Sequence, residues 1–316
     1  MAQSETSTLG FPLEMRPPKR KSAFMDLAGR LAREKPLGLF GAFVVLVFFV
    51  MAAGSPLIAP YGPNELGVGP RLGDPTRDNI MGTDNLGRDT FSRVVYGARV
   101  SITIGLVATL LAAGISLAIG VLSGYFGGWV DILAQRLVDA FIAFPGLVFI
   151  IAVAAVFSES RIRGLPQDGV LQSKNVILAL VIGALLGVGS SRIIRSAALT
   201  VKAQPFIEAS RATGATNTRL ILAHVLPNVM APTITLATLG LGTAILLESS
   251  LSFLGLGVTP DTPTWGGMLN REARNFMTQN PWLAIFPGGA LSLAIFGLNM
   301  FGDALRDLLD PRLRTG

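Results

Sequence analysis

Apolar and polar positions in this chain alternate on the scale of whole membrane spans rather than single helix turns. Stretches of about 20 residues are nearly free of charge, as a membrane-crossing helix requires, and the charged residues gather between them. The first stretch runs from Leu37 to Ala59 and the second lies between Arg99 and Asp131. The third begins near Leu137 and ends near Phe157; the fourth is short, from Asn175 to Ser191, between Lys174 and Arg192. The fifth spans about Val229 to Val258 with one acid, Glu248, and the sixth runs from Trp282 to Phe301. The pattern predicts an all-α integral membrane protein with six spans and both termini on one side. Pro145 falls inside the third span, where a membrane helix tolerates it, and it marks a kink. Gly105, Gly114, Gly120, Gly183, Gly187 and Gly189 predict close helix approach in spans two and four, hence a bundle.

Lys19, Arg20, Lys21, Arg30, Arg33 and Lys35 precede the first span. A secretory signal would have a shorter leader and a shorter apolar core, so the stretch reads as a retained anchor. With the N-terminus inside, inner segments hold 15 Lys and Arg and outer segments hold 10. The bias places both termini in the cytoplasm. The resulting division is a basic N-terminal segment 1–36, a first span 37–59, an extracytoplasmic loop 60–99, a core 100–303 and a cytoplasmic tail 304–316.

Composition narrows the chemistry. Half of the 316 residues are hydrophobic and 15% are charged, against roughly 25% in an average soluble protein. Mean hydropathy is +0.55. A water-soluble enzyme and a disordered chain are both excluded. The net charge of +6 is too dispersed to suggest nucleic-acid binding and fits segments lying near anionic lipid. There is no cysteine and one histidine, which argues against thiol catalysis, a metal site or a catalytic triad. None of the five lysines follows a glycine, so there is no phosphate-binding P-loop. If ATP drives this protein, another chain hydrolyses it. A proton-driven carrier needs ionisable groups at membrane depth, and few exist. Asp131, Arg136 and Asp139 cluster at the inner end of span three, where Arg136 and Asp139 are spaced to pair on one helix face. Glu248 is the candidate functional intramembrane residue, read as lining a cavity or bonding another helix, with a structural hydrogen bond to a partner subunit favoured.

The inner segment between spans four and five, Arg192 to Asn228, contains a short helix by its local signals. Pro205 suits a first turn, Glu208 favours the helix dipole there, and Gly214 can adopt the left-handed conformation that ends a helix. Phe206, Ala209, Ser210 and Thr213 share one side. Such a helix either docks into a partner's groove or lies at the membrane surface.

The spacing Glu208-Ala209-Ser210, three residues, Gly214, nine residues, His224-Val225-Leu226-Pro227 resembles the EAA loop of ABC importer permeases. That signature reads Glu-Ala-Ala, three residues, Gly, nine residues, Ile-x-Leu-Pro. Ser210 and His224 depart from it, and a histidine before Leu-Pro is similar to the peptide-permease branch. The run Gly82 to Asp89, continuing through Ser92-Arg93 to Tyr96-Gly97-Ala98-Arg99, resembles the outer loop of dipeptide and oligopeptide permeases. Asp89 is read as the cap of a short helix whose Phe91, Val94 and Val95 face the membrane. Glu248 to Gly257, Thr264-Trp265-Gly266, and the tail Leu305-Arg306-Asp307 and Leu309-Asp310-Pro311-Arg312 resemble the same branch. The likeness begins near residue 25, and the 24 residues before it read as disordered.

The resemblance implies a type I importer permease core and one of two membrane subunits of a bacterial inner-membrane importer of di- or oligopeptides. It implies no catalytic residue, metal or cofactor in this chain, with ATP and Mg held by two partner ATPase subunits. A second permease and an extracytoplasmic substrate-binding protein complete the expected assembly in the lipid bilayer, with no nucleic acid. The loop 200–228 would couple to the ATPases through Phe206, Glu208, Ala209, Ser210, Gly214, His224, Leu226 and Pro227, with His224 as a packing residue. Asp84, Asn85, Arg88 and Asp89 are candidates for docking the binding protein. An importer of nickel or another small solute is the alternative substrate class. A stand-alone secondary transporter lacks the ionisable path here, an intramembrane enzyme lacks an acid pair at mid-span, and a purely structural subunit would not need the EAA-like loop.

Overall fold

The computed structural model describes residues 23–157, 164–166 and 169–309. The N-terminal 22 residues, the tail residues Asp310, Pro311 and Arg312 and part of the 158–174 loop therefore lie outside the described residues. In chain order the helices are α1 (Ala23–Glu34), α2 (Pro36–Ala53), α3 (Ser55–Ile58), α4 (Thr90–Phe126), α5 (Gly128–Ile142), α6 (Gly146–Val156) and α7 (Ser173–Lys202). There follow α8 (Pro205–Ala212), α9 (Asn217–Leu220), a π turn Ile221–Val225, α10 (Leu226–Phe253), α11 (Trp265–Met268), a second π turn Leu269–Ala273, α12 (Arg274–Phe276) and α13 (Trp282–Leu309).

Among the described residues five helical stretches are long and apolar enough to cross a membrane: α2, α4, α7, the run Asn217–Phe253 and α13. The pair α5–α6 makes a sixth if its two arms count as one span. They meet at 83°, so the third predicted span is broken rather than kinked. Pro145 is the cause. It sits in extended geometry at the cap of α6, φ −56° and ψ 119°, and its missing N–H cannot extend the α5 ladder. The fourth span is also longer than its uncharged run, because α7 continues through Arg192 and Arg195 to Lys202. Both arginines find acids on α5: Arg192 bonds Asp139, and Arg195 bonds Asp131 through both of its ends. The expected Arg136–Asp139 pair gives way to these cross-helix pairs.

Small residues decide how the long helices meet. A Cβ on Gly183 would lie 2.6 Å from the Ala108 carbonyl oxygen, and one on Gly187 2.8 Å from that of Ala112. Gly120 and Gly124 return the contact further along, against the carbonyls of Ser191 and Arg195. The backbones of α4 and α7 thus touch over most of their length, the close packing that substitutes for a hydrophobic driving force between helices in lipid. Gly105 makes room on α4 for the Ile245 side chain of α10, whereas Gly114 and Gly189 face open space.

At the end of the bundle that carries the 60–89 loop, α2, α4, α10 and α11 converge on Trp265, which is fully buried. Its Nε1 donates to the Val94 carbonyl at 3.1 Å, and its ring meets Phe48 edge-on at 5.3 Å. At the opposite end, α1 lies against α13 through Leu31, Ala304 and Leu308, closed by a Lys35–Asp307 ion pair at 2.6 Å.

Candidate functional site

The segment after α7 is built to present a helix outward. Pro205 opens α8 at a position where no backbone N–H is needed. Of its eight residues only Ile207 is buried, inserted among Ile194, Ala198, Leu220 and Val225. Burying one isoleucine side chain stabilises by about 2 kcal/mol, and it anchors a helix that is otherwise mostly exposed. Phe206, Glu208, Ala209 and Thr213 are exposed, and Ser210 is half-buried.

Gly214 ends this helix with φ +86°, a left-handed conformation that costs other residues roughly 1–2 kcal/mol. Its turn lets the Gly214 and Ala215 amides donate to the Arg211 and Ser210 carbonyls at 3.0 and 3.1 Å. No neighbour would meet a Cβ there, so geometry and not space demands the glycine. Thr216 then caps α9, and the Tyr125 hydroxyl donates to Asn217 Oδ1 at 2.8 Å, tying this loop to the end of α4.

The π turn carries His224 back beneath α8. The imidazole Nε2 lies 3.4 Å from the Ser210 Oγ, and its ring sits 6.0 Å from that of Phe206. Pro227 cannot donate to the helix, and the ladder adjusts through an i→i+5 bond from the Leu226 amide to Ile221. Asn228 Nδ2 donates to the His224 carbonyl at 2.7 Å. Pro227 is therefore not the start of a span but a point inside one continuous helical path from Asn217 to Phe253. Leu226 is half-buried on the same cluster as Ile207. Of the residues singled out in the sequence, Phe206, Ser210 and His224 thus come together, Glu208 and Ala209 are exposed beside them, and Leu226 packs on the Ile207 cluster.

The residues expected to dock a binding protein fall differently. Asp84, Arg88 and Asp89 are buried, and only Asn85 is partly open. Asp84 pairs with Arg88 at 2.6 Å, while Arg88 and Arg93 both donate to Glu272 Oε1, at 2.9 and 3.0 Å. Asp89 caps α4 by accepting from the Ser92 amide at 2.7 Å and holds Asn79 at 2.9 Å. These charges cement the 60–89 loop to the π turn 269–273 instead of facing outward. A docking protein would meet Asn85 and the exposed Leu86. The helix that Asp89 caps is the whole of α4, and Val94 and Val95 point into the core, not into lipid. Arg93 and Glu272 carry no local sequence signal, since 179 residues separate them. Beside them, burial lowers the pKa of Arg271, with Glu272 and Asp261 opposing the shift.

Glu248 is fully buried, and its partners belong to its own chain. Ser252 donates to Oε1 at 2.7 Å, and Ser101 and Ser249 to Oε2 at 3.0 and 3.3 Å. The carboxyl joins α10 to α4, as a bond to another helix would. Among the described residues no three acidic or histidine side chains gather as a metal site would.

The loop thus presents an exposed helix with one buried side chain, closed by a left-handed glycine and backed by a continuous span. A family described as "Binding-protein-dependent transport system inner membrane component" matches residues 116–315. The chain belongs to this family. A second description, "N-terminal TM domain of oligopeptide transport permease C", matches residues 24–80. Over 283 residues the permease is 37% identical to the dipeptide transport system permease protein DppC of Alkalihalophilus pseudofirmus, covering 90% of this chain and 88% of the relative. It is 38% identical over 286 residues to the glutathione transport system permease protein GsiD of Escherichia coli O157:H7 and of Shigella sonnei, covering 90% and 89%. The protein is thus an ABC importer permease of the dipeptide and oligopeptide type, a multi-pass membrane subunit and not an enzyme.

Proposed function

We propose that this permease imports di- or oligopeptides across the bacterial inner membrane, powered by separate ATPase subunits that dock on α8. The carrying observation is the patch of Phe206, Glu208 and Ala209, displayed on a helix whose one buried side chain is Ile207 and which Gly214 closes. Both termini lie in the cytoplasm, on the side of α8. Two ATPases bind ATP and Mg beneath it, a second permease of the DppB/OppB kind pairs with this one, and an extracytoplasmic binding protein delivers the peptide to the end bearing the 60–89 loop. ATP and the loaded binding protein each stabilise an outward-facing arrangement, and α8 transmits that preference to the spans as one rigid element. The GsiD relatives favour a second reading in which the peptide is glutathione.

Purification of the complex from native membranes tests the assignment. Recovery with a second permease and P-loop ATPases, and hydrolysis stimulated by peptide plus binding protein, is the expected result. Stimulation by glutathione alone selects the second reading. Stimulation only by a metal ion overturns the peptide substrate, and an active protein without ATPases overturns the role of α8.

A further inference from the structure

A cavity of about 460 Å³ opens at the end of the bundle that carries the 60–89 loop, between the first turns of α4, the start of α7 and the 259–263 loop. That size lies within the roughly 300–1,000 Å³ range of small-ligand sites. Its lining is chemically mixed. Arg99 and Asp261 bring one charge of each sign, and Tyr96 adds a phenol. Among the described residues neither the Arg99 guanidinium nor the Asp261 carboxylate makes a hydrogen bond or salt bridge, and the Tyr96 hydroxyl has no hydrogen-bond partner. Both charged side chains are exposed, whereas the nearby Asp84, Arg88, Arg93 and Glu272 are buried and paired with one another.

The wall bearing Asp261 is held in place. Gln172, buried at the floor, donates from Nε2 to Thr259 Oγ1 at 3.1 Å and to Thr262 Oγ1 at 3.3 Å. Asn64 Nδ2 donates to the Asp261 carbonyl at 2.6 Å. Arg271, whose charge reaches Asp261, donates to the carbonyls of Pro260 and Val258. The loop backbone is thus held on both sides, while the exposed Asp261 side chain makes no hydrogen bond among the described residues. Arg99 is fixed similarly: it stands on the rigid α4, and its carbonyl accepts from Thr103 at 2.7 Å.

We propose that this cavity is a receiving site for a short zwitterionic peptide, with Arg99 taking the terminal carboxylate and Asp261 the terminal ammonium. A dipeptide carries one charge of each sign at its two ends, matching Arg99 and Asp261, neither of which makes a salt bridge among the described residues. The polar floor would accept the peptide bond between them. The site lies at the end opposite α8, where a solute released from the binding protein first meets the permease. This inference rests on the peptide reading of the substrate.

Equilibrium dialysis of the assembled complex, without the binding protein, against alanyl-phenylalanine, its C-terminal amide and its N-acetyl form tests the assignment. The free dipeptide is expected to bind about tenfold more tightly than either blocked form, the worth of one charge-assisted hydrogen bond. Arg99→Gln should abolish the preference over the amide alone, and Asp261→Asn the preference over the N-acetyl form alone, while Arg99→Lys retains both. Equal binding of the three probes, no binding of any, or variants that keep the wild-type preference overturn the inference. Uptake by the wild-type complex, assayed in parallel with binding protein present, separates the two readings. Peptide uptake without a preference in dialysis removes only the cavity's role. Absence of all peptide uptake removes the peptide substrate and the cavity's ligand together.

Discussion

Ser210 and His224, the two positions at which this loop departs from the Glu-Ala-Ala…Ile-x-Leu-Pro pattern, touch each other: the Ser210 Oγ lies 3.4 Å from the His224 Nε2. Two departures in sequence are one contact in space, joining the back of α8 to the π turn that follows. Restoring the pattern, with Ser210→Ala and His224→Ile together, would exchange a polar link for apolar packing. Ser210→Ala and His224→Ala should each lower peptide-stimulated hydrolysis. In a double-mutant cycle the two should couple by about 0.5–1.5 kcal/mol, the net value of one hydrogen bond. Strict additivity would show that the contact has no part in coupling.

Gly214 should tolerate no side chain, although space is open around it, because its φ is +86°. Gly214→Val is expected to tilt or unwind the end of α8 at a cost of about 1–2 kcal/mol. The variant should insert and assemble normally yet lose most peptide uptake per ATP hydrolysed. Gly214→Asn, which visits the left-handed region more readily, should retain more uptake than valine; equal uptake in both variants would contradict the geometric account.

Glu248 should resist conversion to leucine far more than conversion to glutamine. Leucine leaves the hydroxyls of Ser101, Ser249 and Ser252 facing an apolar group in a fully buried place. Each unpaired polar group costs about 1–3 kcal/mol. Glutamine keeps an acceptor, and the hydroxyls can rotate to use it. Thermal unfolding of the detergent-solubilised complex should show a large fall in Tm for Glu248→Leu and a small one for Glu248→Gln. If Glu248→Gln retains Tm but abolishes uptake, the carboxyl acts in transport and not only in joining α10 to α4.

Glu272 holds two buried guanidinium groups through one oxygen. Glu272→Gln leaves Arg88 and Arg93 with Asp84 as their remaining acid, and breaking such a buried pair costs about 3–5 kcal/mol. The 60–89 loop should loosen first. Amide exchange over residues 79–90 is the measurement, and unchanged protection there would refute the cementing role.

The membrane spans were legible because a long apolar run has few alternatives, and the coupling helix because Pro205, Glu208 and Gly214 are local signals. Pro145 was legible as a disturbance, but the 83° turn depends on where α5 can rest. That is set by Asp131 and Asp139 meeting Arg195 and Arg192, more than 50 residues onward. The same distance problem hid the fate of Asp84, Arg88 and Asp89. Polar residues in a loop read as exposed until their counterions, on a turn near residue 272, fold back over them. Glu248 was half legible: Ser252, four residues on, was in view along the helix, whereas Ser101 was not.

Trp265 offers a use of a different kind. Of the three tryptophans, Trp129 is 84% exposed, Trp282 stacks on Phe286, and Trp265 is sealed where α2, α4, α10 and α11 meet. Indole emission shifts to the red as water reaches the ring. A permease with Trp129 and Trp282 replaced by phenylalanine would therefore carry one native fluorophore at that junction. Its colour during the ATP cycle would show, without any attached dye, whether the four helices part or travel together.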